Sequence, residues 1–195
     1  GTLDLAEIPI EDPITVGSTS SDCDPDTVYF QNTILPLIVS SCATTGCHDQ
    51  GSHKDGIILT DYSSITTTGK IKPGDLSDSE FFEVLSDEDD DLMPPPPSGP
   101  LSGYQIEQIA DWILQGALDN ECHAGCDTTN ITFSGAVWPV MQTYCTGCHT
   151  AGNPGGGVII ENYADLVELS ENGTLLGSVR YEPGYAAMPP NQPMD

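Results

Sequence analysis

The clearest hydrophobic pattern along the chain is a helical one, and it occurs twice. In each of two segments, apolar residues recur at positions i, i+4, i+7 and i+8, which lie on one face of a helix. They are Phe30, Ile34, Leu37 and Ile38 in the first segment, and Phe133, Val137, Val140 and Met141 in the second. We therefore expect two amphipathic helices, each followed closely by a cysteine.

The same order of landmarks continues on both sides of these helices. A Cys-Asp pair begins each segment, at Cys23 and at Cys126, and a cysteine follows at the same spacing, at Cys42 and at Cys145. Further landmarks occur in the same order: Gly56-Ile57-Ile58-Leu59 with Tyr62 corresponds to Gly157-Val158-Ile159-Ile160 with Tyr163, and Met93-Pro94-Pro95 corresponds to Met188-Pro189-Pro190. This internal repeat predicts two homologous domains in tandem, 23–122 and 123–195.

The two predicted domains differ at their C-terminal ends. The first closes with a helix that a capping box begins, with Ser102 and Gln105 ahead of an apolar face that continues to Ala117. The second repeat shows no such helix after its Met-Pro-Pro, and we expect it to be a C-terminally truncated version of the first. Residues 1–22 belong to neither repeat, and their alternating apolar positions predict an extended N-terminal arm.

Composition narrows the possible environments and partners. Four Lys and Arg against 30 Asp and Glu give a formal net charge of -26, which disfavours binding to nucleic acid or to an anionic membrane. The sequence has no run of about 18 apolar residues, so we expect no transmembrane segment. Seven cysteines in such an acidic chain favour an extracytoplasmic setting, in a periplasm, at a cell surface or outside the cell.

The cysteines carry the strongest chemical signal. Cys145-Thr146-Gly147-Cys148-His149 is the Cys-x-x-Cys-His pattern of haem c attachment, in which two thiols bond to the porphyrin edge and the imidazole binds the iron. The matching stretch of the first repeat runs from Cys42 to Cys47-His48 with four residues between the thiols instead of two. We interpret it as a longer-loop version of the same site, and the chain is expected to hold two haems.

Each iron needs a ligand on its opposite face, and the repeated Met-Pro-Pro offers Met93 to the first haem and Met188 to the second. A thioether is a soft ligand, and the following proline biases each methionine away from helix. The alternatives are a bis-His arrangement through His53 or His123, and a zinc or disulfide role for the four cysteines. His53 lies too close to His48 to reach around a porphyrin, and zinc explains neither the histidines nor the methionines.

Several motifs together resemble the planctomycete-type cytochrome c domain. They are the Cys-His pairs, Gly-Ile-Ile-Leu-Thr-Asp-Tyr, Lys-Pro-Gly-Asp with Ser79, Met-Pro-Pro-Pro-Pro, Pro-Leu-Ser and Ile-Ala-Asp-Trp-Ile-Leu-Gln-Gly-Ala. The resemblance extends over 27–118 and more loosely over 130–190. It implies a mainly α fold of two small cytochrome c-like helical domains with long loops, each built around a haem, with His48 and His149 as proximal ligands and Met93 and Met188 as distal ones.

The function expected from these features is outer-sphere electron transfer with redox partner proteins, and not catalysis, because both axial positions of each iron are filled. The alternative from another class is a di-haem peroxidase-like enzyme in which one iron keeps an open site. A third alternative is a zinc- or disulfide-stabilised structural protein.

Three cysteines remain outside the attachment motifs, namely Cys23, Cys122 and Cys126. Domain symmetry favours a disulfide between Cys23, which opens the first domain, and Cys122, which closes it, while a Cys23–Cys126 pair stays open. An odd cysteine, an extended arm and an incomplete second domain together predict head-to-tail self-association, in the extreme an extracellular electron-conducting filament. The opposing interpretation is that the arm 1–22 takes no part in self-association and that Cys126 carries a free thiol.

Overall fold

The structure is a computed structural model that describes residues 23–86, 91–96, 98–122 and 131–190. As predicted, it is mainly helical. The helices are α1 Leu35–Ser41, α2 Tyr62–Thr68, α3 Glu80–Glu83, α4 Gly103–Leu114, α5 Trp138–Tyr144, α6 Tyr163–Glu171 and α7 Thr174–Val179. Two short strands, β1 His149–Thr150 and β2 Asn153–Pro154, pair antiparallel with His149 opposite Pro154.

Helices α1 and α5 have the same local construction. A π-helical turn leads into each of them, Phe30–Ile34 before α1 and Phe133–Val137 before α5. Each helix has a proline in its first turn, where the missing N–H costs nothing. Each ends at a cysteine of a predicted attachment motif. The repeat seen in the sequence is thus present in the backbone.

Capping boxes fix the beginnings of three other helices, because a side chain at the N-cap and one three residues later satisfy backbone N–H groups reciprocally. The pairs are Asp61 with Ser64 for α2, Ser102 with Gln105 for α4, and Asn162 with Asp165 for α6. The box predicted for α4 is therefore confirmed, and α2 and α6 begin at corresponding positions of the two repeats.

The first repeat encloses a substantial apolar core. All four residues of its predicted helical face are fully buried, and they pack with residues of α4. The Trp112 ring lies 5.3 Å from that of Phe30, measured between centroids, and its Nε1–H donates to the Leu118 carbonyl. Helix α4 therefore contributes directly to this core.

The apolar core of the second repeat is much smaller. Among the described residues, its buried hydrophobic members are Met141, Cys145, Ile160 and Leu166. Val140, the counterpart of the fully buried Leu37, is 39% exposed, so the helical face predicted for α5 is only partly covered. In the part of the second repeat that the structure describes, Val140 therefore lacks the burial that Leu37 has in the first.

The two repeats touch along α1 and α5, which pack against each other. The Ser40 hydroxyl donates to the Thr143 carbonyl at 3.1 Å. From α4, the Gln105 side-chain amide donates to the Gln142 carbonyl at 2.8 Å, and Gln142 returns a hydrogen bond to the Ser102 hydroxyl. One face of α5 is thus held by residues of the first repeat.

A disulfide joins Cys23 to Cys122 and closes the first repeat on itself. This is the pairing that domain symmetry favours. The predicted arm 1–22, His123 and the third candidate, Cys126, lie outside the described residues. In the part of the chain that is described, none of the helices has the length and apolar character needed to span a membrane.

Candidate functional site

The ends of α1 and α5 place the first cysteine of each motif. Cys42 and Cys145 are the C-caps of these helices, and their N–H groups donate to Ile38 and Met141 respectively. Both cysteines are buried, at 8% and 9% exposure, and neither is in a disulfide. The helices therefore present a buried thiol at the same position of each repeat.

The segments that follow make matching backbone hydrogen bonds despite their different lengths. The N–H of His48 donates to Cys42 O at 3.2 Å, and that of His149 donates to Cys145 O at 3.1 Å. The carbonyls of the two histidines accept from the corresponding apolar residues, Leu59 and Ile160. The two extra residues of the first spacer are thus accommodated in the loop without changing how its Cys-His end is held.

The two histidines lie in different surroundings. The Nδ1 atom of His149 lies 3.3 Å from the Val158 carbonyl oxygen, so a proton on Nδ1 donates there and leaves the Nε2 lone pair for a metal ion. His48 is buried, and its Nδ1 has no hydrogen-bond partner. The Nδ1 of His48 therefore lacks the backbone acceptor that orients the ring of His149.

The two methionines are also held in the same way. The Met93 N–H donates to Val84 O at 2.8 Å, and the Met188 N–H donates to Ser178 O at 3.1 Å. In both cases the acceptor lies at the C-terminal end of the preceding helix. Both Met-Pro peptide bonds are cis. The backbone thus presents the two thioethers at equivalent places.

In the second repeat the predicted ligands meet at one cavity of about 660 Å³. Its lining includes all four predicted residues, Cys145, Cys148, His149 and Met188. Apolar side chains of α6 and α7 contribute further wall, among them Leu169, Leu175 and Val179. The volume lies within the range of about 300–1,000 Å³ typical of cofactor sites.

The opposite wall of this cavity comes from the first repeat. Pro36, Val39, Ser40 and Ala43 line it. They occupy positions i, i+3, i+4 and i+7, a single helical face that continues into the residue after Cys42. The adjoining face carries Ile34, Leu37 and Ile38 into the first core. Helix α1 therefore serves the core of one repeat and the cavity of the other.

Burial keeps the thiols neutral. Desolvation, with a smaller repulsion from Cys47, raises the pKa of Cys42 to about 12. Desolvation, followed by repulsion from Cys148, raises the pKa of Cys145 to about 11, and burial also raises the pKa of Cys148. These groups are protonated at neutral pH and are not preformed thiolate nucleophiles.

Other arrangements considered from the sequence find less support in the geometry. Within the described ranges, no group of three or more His, Cys, Asp or Glu side chains is placed to hold a metal ion, as the zinc alternative requires. His53 is exposed, and His123 falls outside the described residues.

Two glycines and one face of α1 contribute to the site without having been predicted. A Cβ on Gly155 would lie 2.8 Å from Cys148 O and 3.3 Å from the His149 ring, so a side chain here would clash with the backbone of the second motif and crowd the ring. A Cβ on Gly177 would lie 2.4 Å from the Tyr185 ring, which lines the cavity. The Pro36–Ala43 face could have been found from its helical spacing, had small and polar residues been counted with the apolar ones.

Comparison with known families gives one match. Residues 45–97 match the family model described as planctomycete cytochrome C, and this segment includes Cys47, His48 and Met93. The resemblance to a planctomycete-type cytochrome c domain is thus confirmed for a little over a quarter of the chain. No curated protein and no solved structure matches the chain. A cytochrome c domain suggests haem c binding and an electron-transfer role rather than an enzyme.

Proposed function

We propose that the chain is a di-haem c-type cytochrome that passes electrons by outer-sphere transfer, with one haem on each repeat. The observation that carries the proposal is the cavity of the second repeat, where two thiols, an imidazole and a thioether line the same space. The first repeat supports a second haem because its Cys-His segment and its Met93 are held by the same backbone hydrogen bonds.

The residues present fit a covalently attached haem. Cys145 and Cys148 would hold it by thioether bonds, His149 and Met188 would bind the iron, and Cys42, Cys47, His48 and Met93 would do the same in the first repeat. When bound, haem supplies a one-electron iron couple whose potential depends on the axial ligands and on burial.

The chain's own residues would attach the haem, orient its histidine ligand and pack against it. The Val158 carbonyl fixes the ring of His149 through Nδ1, which raises the basicity of the other nitrogen. The apolar side chains of α1, α6 and α7 would pack against a bound haem, and Met188 would fill the second axial position of its iron. With both axial positions filled, the site would be suited to relay and not to substrate chemistry.

Haem content tests the proposal directly. Protein produced in a host that attaches haem c should carry two haems per chain that survive acid-acetone extraction, measured by the pyridine haemochrome spectrum. Replacing Cys145 and Cys148 by Ala should lower the count to one, whereas replacing Cys23 and Cys122 by Ala should leave it at two. Haem that is released on extraction, or a count of one in the unaltered chain, would contradict the proposal.

The axial methionines have their own test. Met93→Ala and Met188→Ala should each lower one reduction potential and admit carbon monoxide to one iron, because a filled coordination position becomes open. Met141→Leu, a volume-conserving change of a methionine in the second core, is the matched control and should do neither. A sulfur-to-iron charge-transfer band that persists in the double Met93/Met188 variant would refute the ligand assignment.

Binding of carbon monoxide to the unaltered protein also tests the peroxidase-like alternative. A relay protein should not bind carbon monoxide or react with hydrogen peroxide until a methionine is removed. Rapid reaction of the unaltered protein would favour an enzyme with one open iron.

The setting proposed for this relay is extracytoplasmic, with redox partner proteins. The Cys23–Cys122 disulfide supports an oxidising compartment. Head-to-tail association into a filament stays a prediction, since the arm 1–22 and Cys126 on which it depends lie outside the described residues. Sedimentation of the intact chain beside one lacking 1–22 tests it, and monomers in both samples at high concentration would contradict it.

A further inference from the structure

The two attachment segments are in direct contact with each other, which the internal repeat alone does not require. Gly147, inside the second motif, packs onto the last turn of α1. A Cβ built on Gly147 would lie 2.6 Å from Ser41 Oγ and 2.8 Å from the Ser40 carbonyl oxygen. These distances are too short for any side chain, so only glycine permits the approach.

A sulfur atom of the second site lies in the same contact. Cys148 Sγ is 3.2 Å from the Ser40 carbonyl oxygen, to which its S–H donates. Ser40 stands two residues before Cys42, the first attachment cysteine of the other repeat. Thioether formation removes the S–H proton, but the covalent bonds and the glycine packing keep the sulfur beside α1.

Further contacts hold the two segments in register. The Ser40 hydroxyl donates to the Thr143 carbonyl, two residues before Cys145. Gln105 of α4 donates to the Gln142 carbonyl, and its amide lies 3.3 Å from the Thr146 hydroxyl inside the second motif. The wall that Val39 and Ala43 give to the second cavity places α1 beside the second haem site as well.

From this geometry we propose that the chain is a two-centre relay in which the α1–α5 contact is the electron-transfer junction between the haems, with Gly147 as its positioning residue. The proposal rests on the function proposed above, two haems per chain. An electron that leaves a ferrous haem on one segment reduces the ferric haem on the other, with no bond made or broken and no proton required. Tunnelling rates fall exponentially with distance, so a contact that brings the two motifs together controls the rate.

Magnetic interaction between the two ferric irons measures this junction. The electron paramagnetic resonance spectrum of the fully oxidised protein should be broader than the sum of the spectra of two single-haem proteins. These are the Cys42→Ala/Cys47→Ala and the Cys145→Ala/Cys148→Ala variants. A spectrum that equals the sum would overturn the junction even if both haems are present.

Gly147→Ala tests the positioning role, because it keeps both cysteines and the histidine of the motif. The new methyl group must push the segment away from Ser40 and Ser41, so part of the broadening should be lost while haem content stays at two. Gly99→Ala is the matched control, since a Cβ there meets nothing within 4 Å, and it should leave the spectrum unchanged.

The outcomes separate the two proposals. A count of one haem per chain would contradict both the two-centre relay and the proposed di-haem function on which it rests. Two haems with unchanged broadening in Gly147→Ala would overturn the role of Gly147, and two haems with additive spectra would overturn the junction. Should Gly147→Ala not fold, the comparison of the unaltered chain with the single-haem variants still decides the matter.

Discussion

The two repeats share an attachment frame but differ in how they are stabilised. In the first, α4 and the disulfide close a core of 17 buried residues around the π-turn and α1. In the described part of the second, the core has four buried hydrophobic residues, and two of them, Cys145 and Ile160, line a cavity of about 660 Å³ together with the other predicted haem ligands. The same local sequence pattern thus supports one repeat that packs mostly on itself and one that has a small core and packs on its neighbour.

Preventing haem attachment should produce the largest difference between the repeats. In the Cys145→Ala/Cys148→Ala variant we expect α5, α6 and α7 to lose protection from amide hydrogen exchange, because a small apolar core rarely folds without a staple. The Cys42→Ala/Cys47→Ala variant should keep its protection in α1 and α4. Mass spectrometry of peptides from each helix measures both, and equal losses in the two variants would contradict the comparison.

The two tryptophans of the chain, one in each repeat, allow the contributions of the two cores to the free energy of unfolding to be compared. Trp112 is 1% exposed, and Trp112→Ala should lower the free energy of unfolding of the first repeat by about 3–5 kcal/mol. Trp138 is only partly buried at the edge of the second core, so Trp138→Ala should cost clearly less. Urea unfolding followed by far-UV circular dichroism makes the comparison, and a larger cost at Trp138 would reverse it.

The buried thiols should be slow to react before haem is attached. A pKa raised from 9.0 to about 11 at Cys145 leaves about a hundredfold less thiolate at pH 8, and Cys42, at about 12, has less still. Iodoacetamide labelling of the haem-free protein, read by mass spectrometry, should therefore be slow at Cys42 in the first core and fast at the same residue in urea. Labelling at Cys145 reports whether the second repeat stays folded without haem.

The sign of the pH effect follows from the raised pKa values. The unfolded chain loses these protons first, so the stability that the neutral thiols contribute is complete below pH 9 and is lost as pH rises toward 11 and 12. Unfolding of the haem-free protein should become easier over that range. Stability that stays constant between pH 9 and 11 would show that the thiols are more exposed than the structure has them.

The smallest expected effect is the pH dependence of the charged cap of α2, which the uncharged cap of α4 should not show. The Ser64 N–H donates to the Asp61 carboxylate and lowers its pKa below 3.8, so the stability it adds is lost as pH falls through that lowered value. Asp61→Asn should retain the cap and remove this pH dependence, whereas Asp61→Ala should cost about 1 kcal/mol. Ser102→Ala at the start of α4 is the control, and its cost should not vary at acidic pH because neither Ser102 nor Gln105 of that capping box is charged.

Much of the helical frame could be predicted from the sequence because local signals determine it. The spacing of Phe30 to Ile38 and the Ser102 capping box depend on residues within two turns of each other, and the structure has both. The exposure of Val140 was not predictable in this way. Its helical position matches that of the fully buried Leu37, but the core in the described part of the second repeat is smaller.

The site was predictable where one short motif contains the chemistry, and not where two repeats meet. Cys145, Cys148 and His149 follow from their spacing alone, and the repeat supplies Met188. The face of α1 that carries Val39 and Ser40 has helical spacing, but its place at the second cavity comes from the packing of α1 on α5, which that spacing alone does not give.

The Cys23–Cys122 disulfide also determines how the chain would carry a mechanical load. These two cysteines lie at the ends of the first repeat, 99 positions apart in sequence, with Cα atoms 5.8 Å apart. A pulling force that enters before residue 23 and leaves after residue 122 passes through the sulfur atoms and bypasses α1 to α4. Tension on the chain would therefore extend the second repeat, whereas the disulfide would keep the segment between Cys23 and Cys122 free of load.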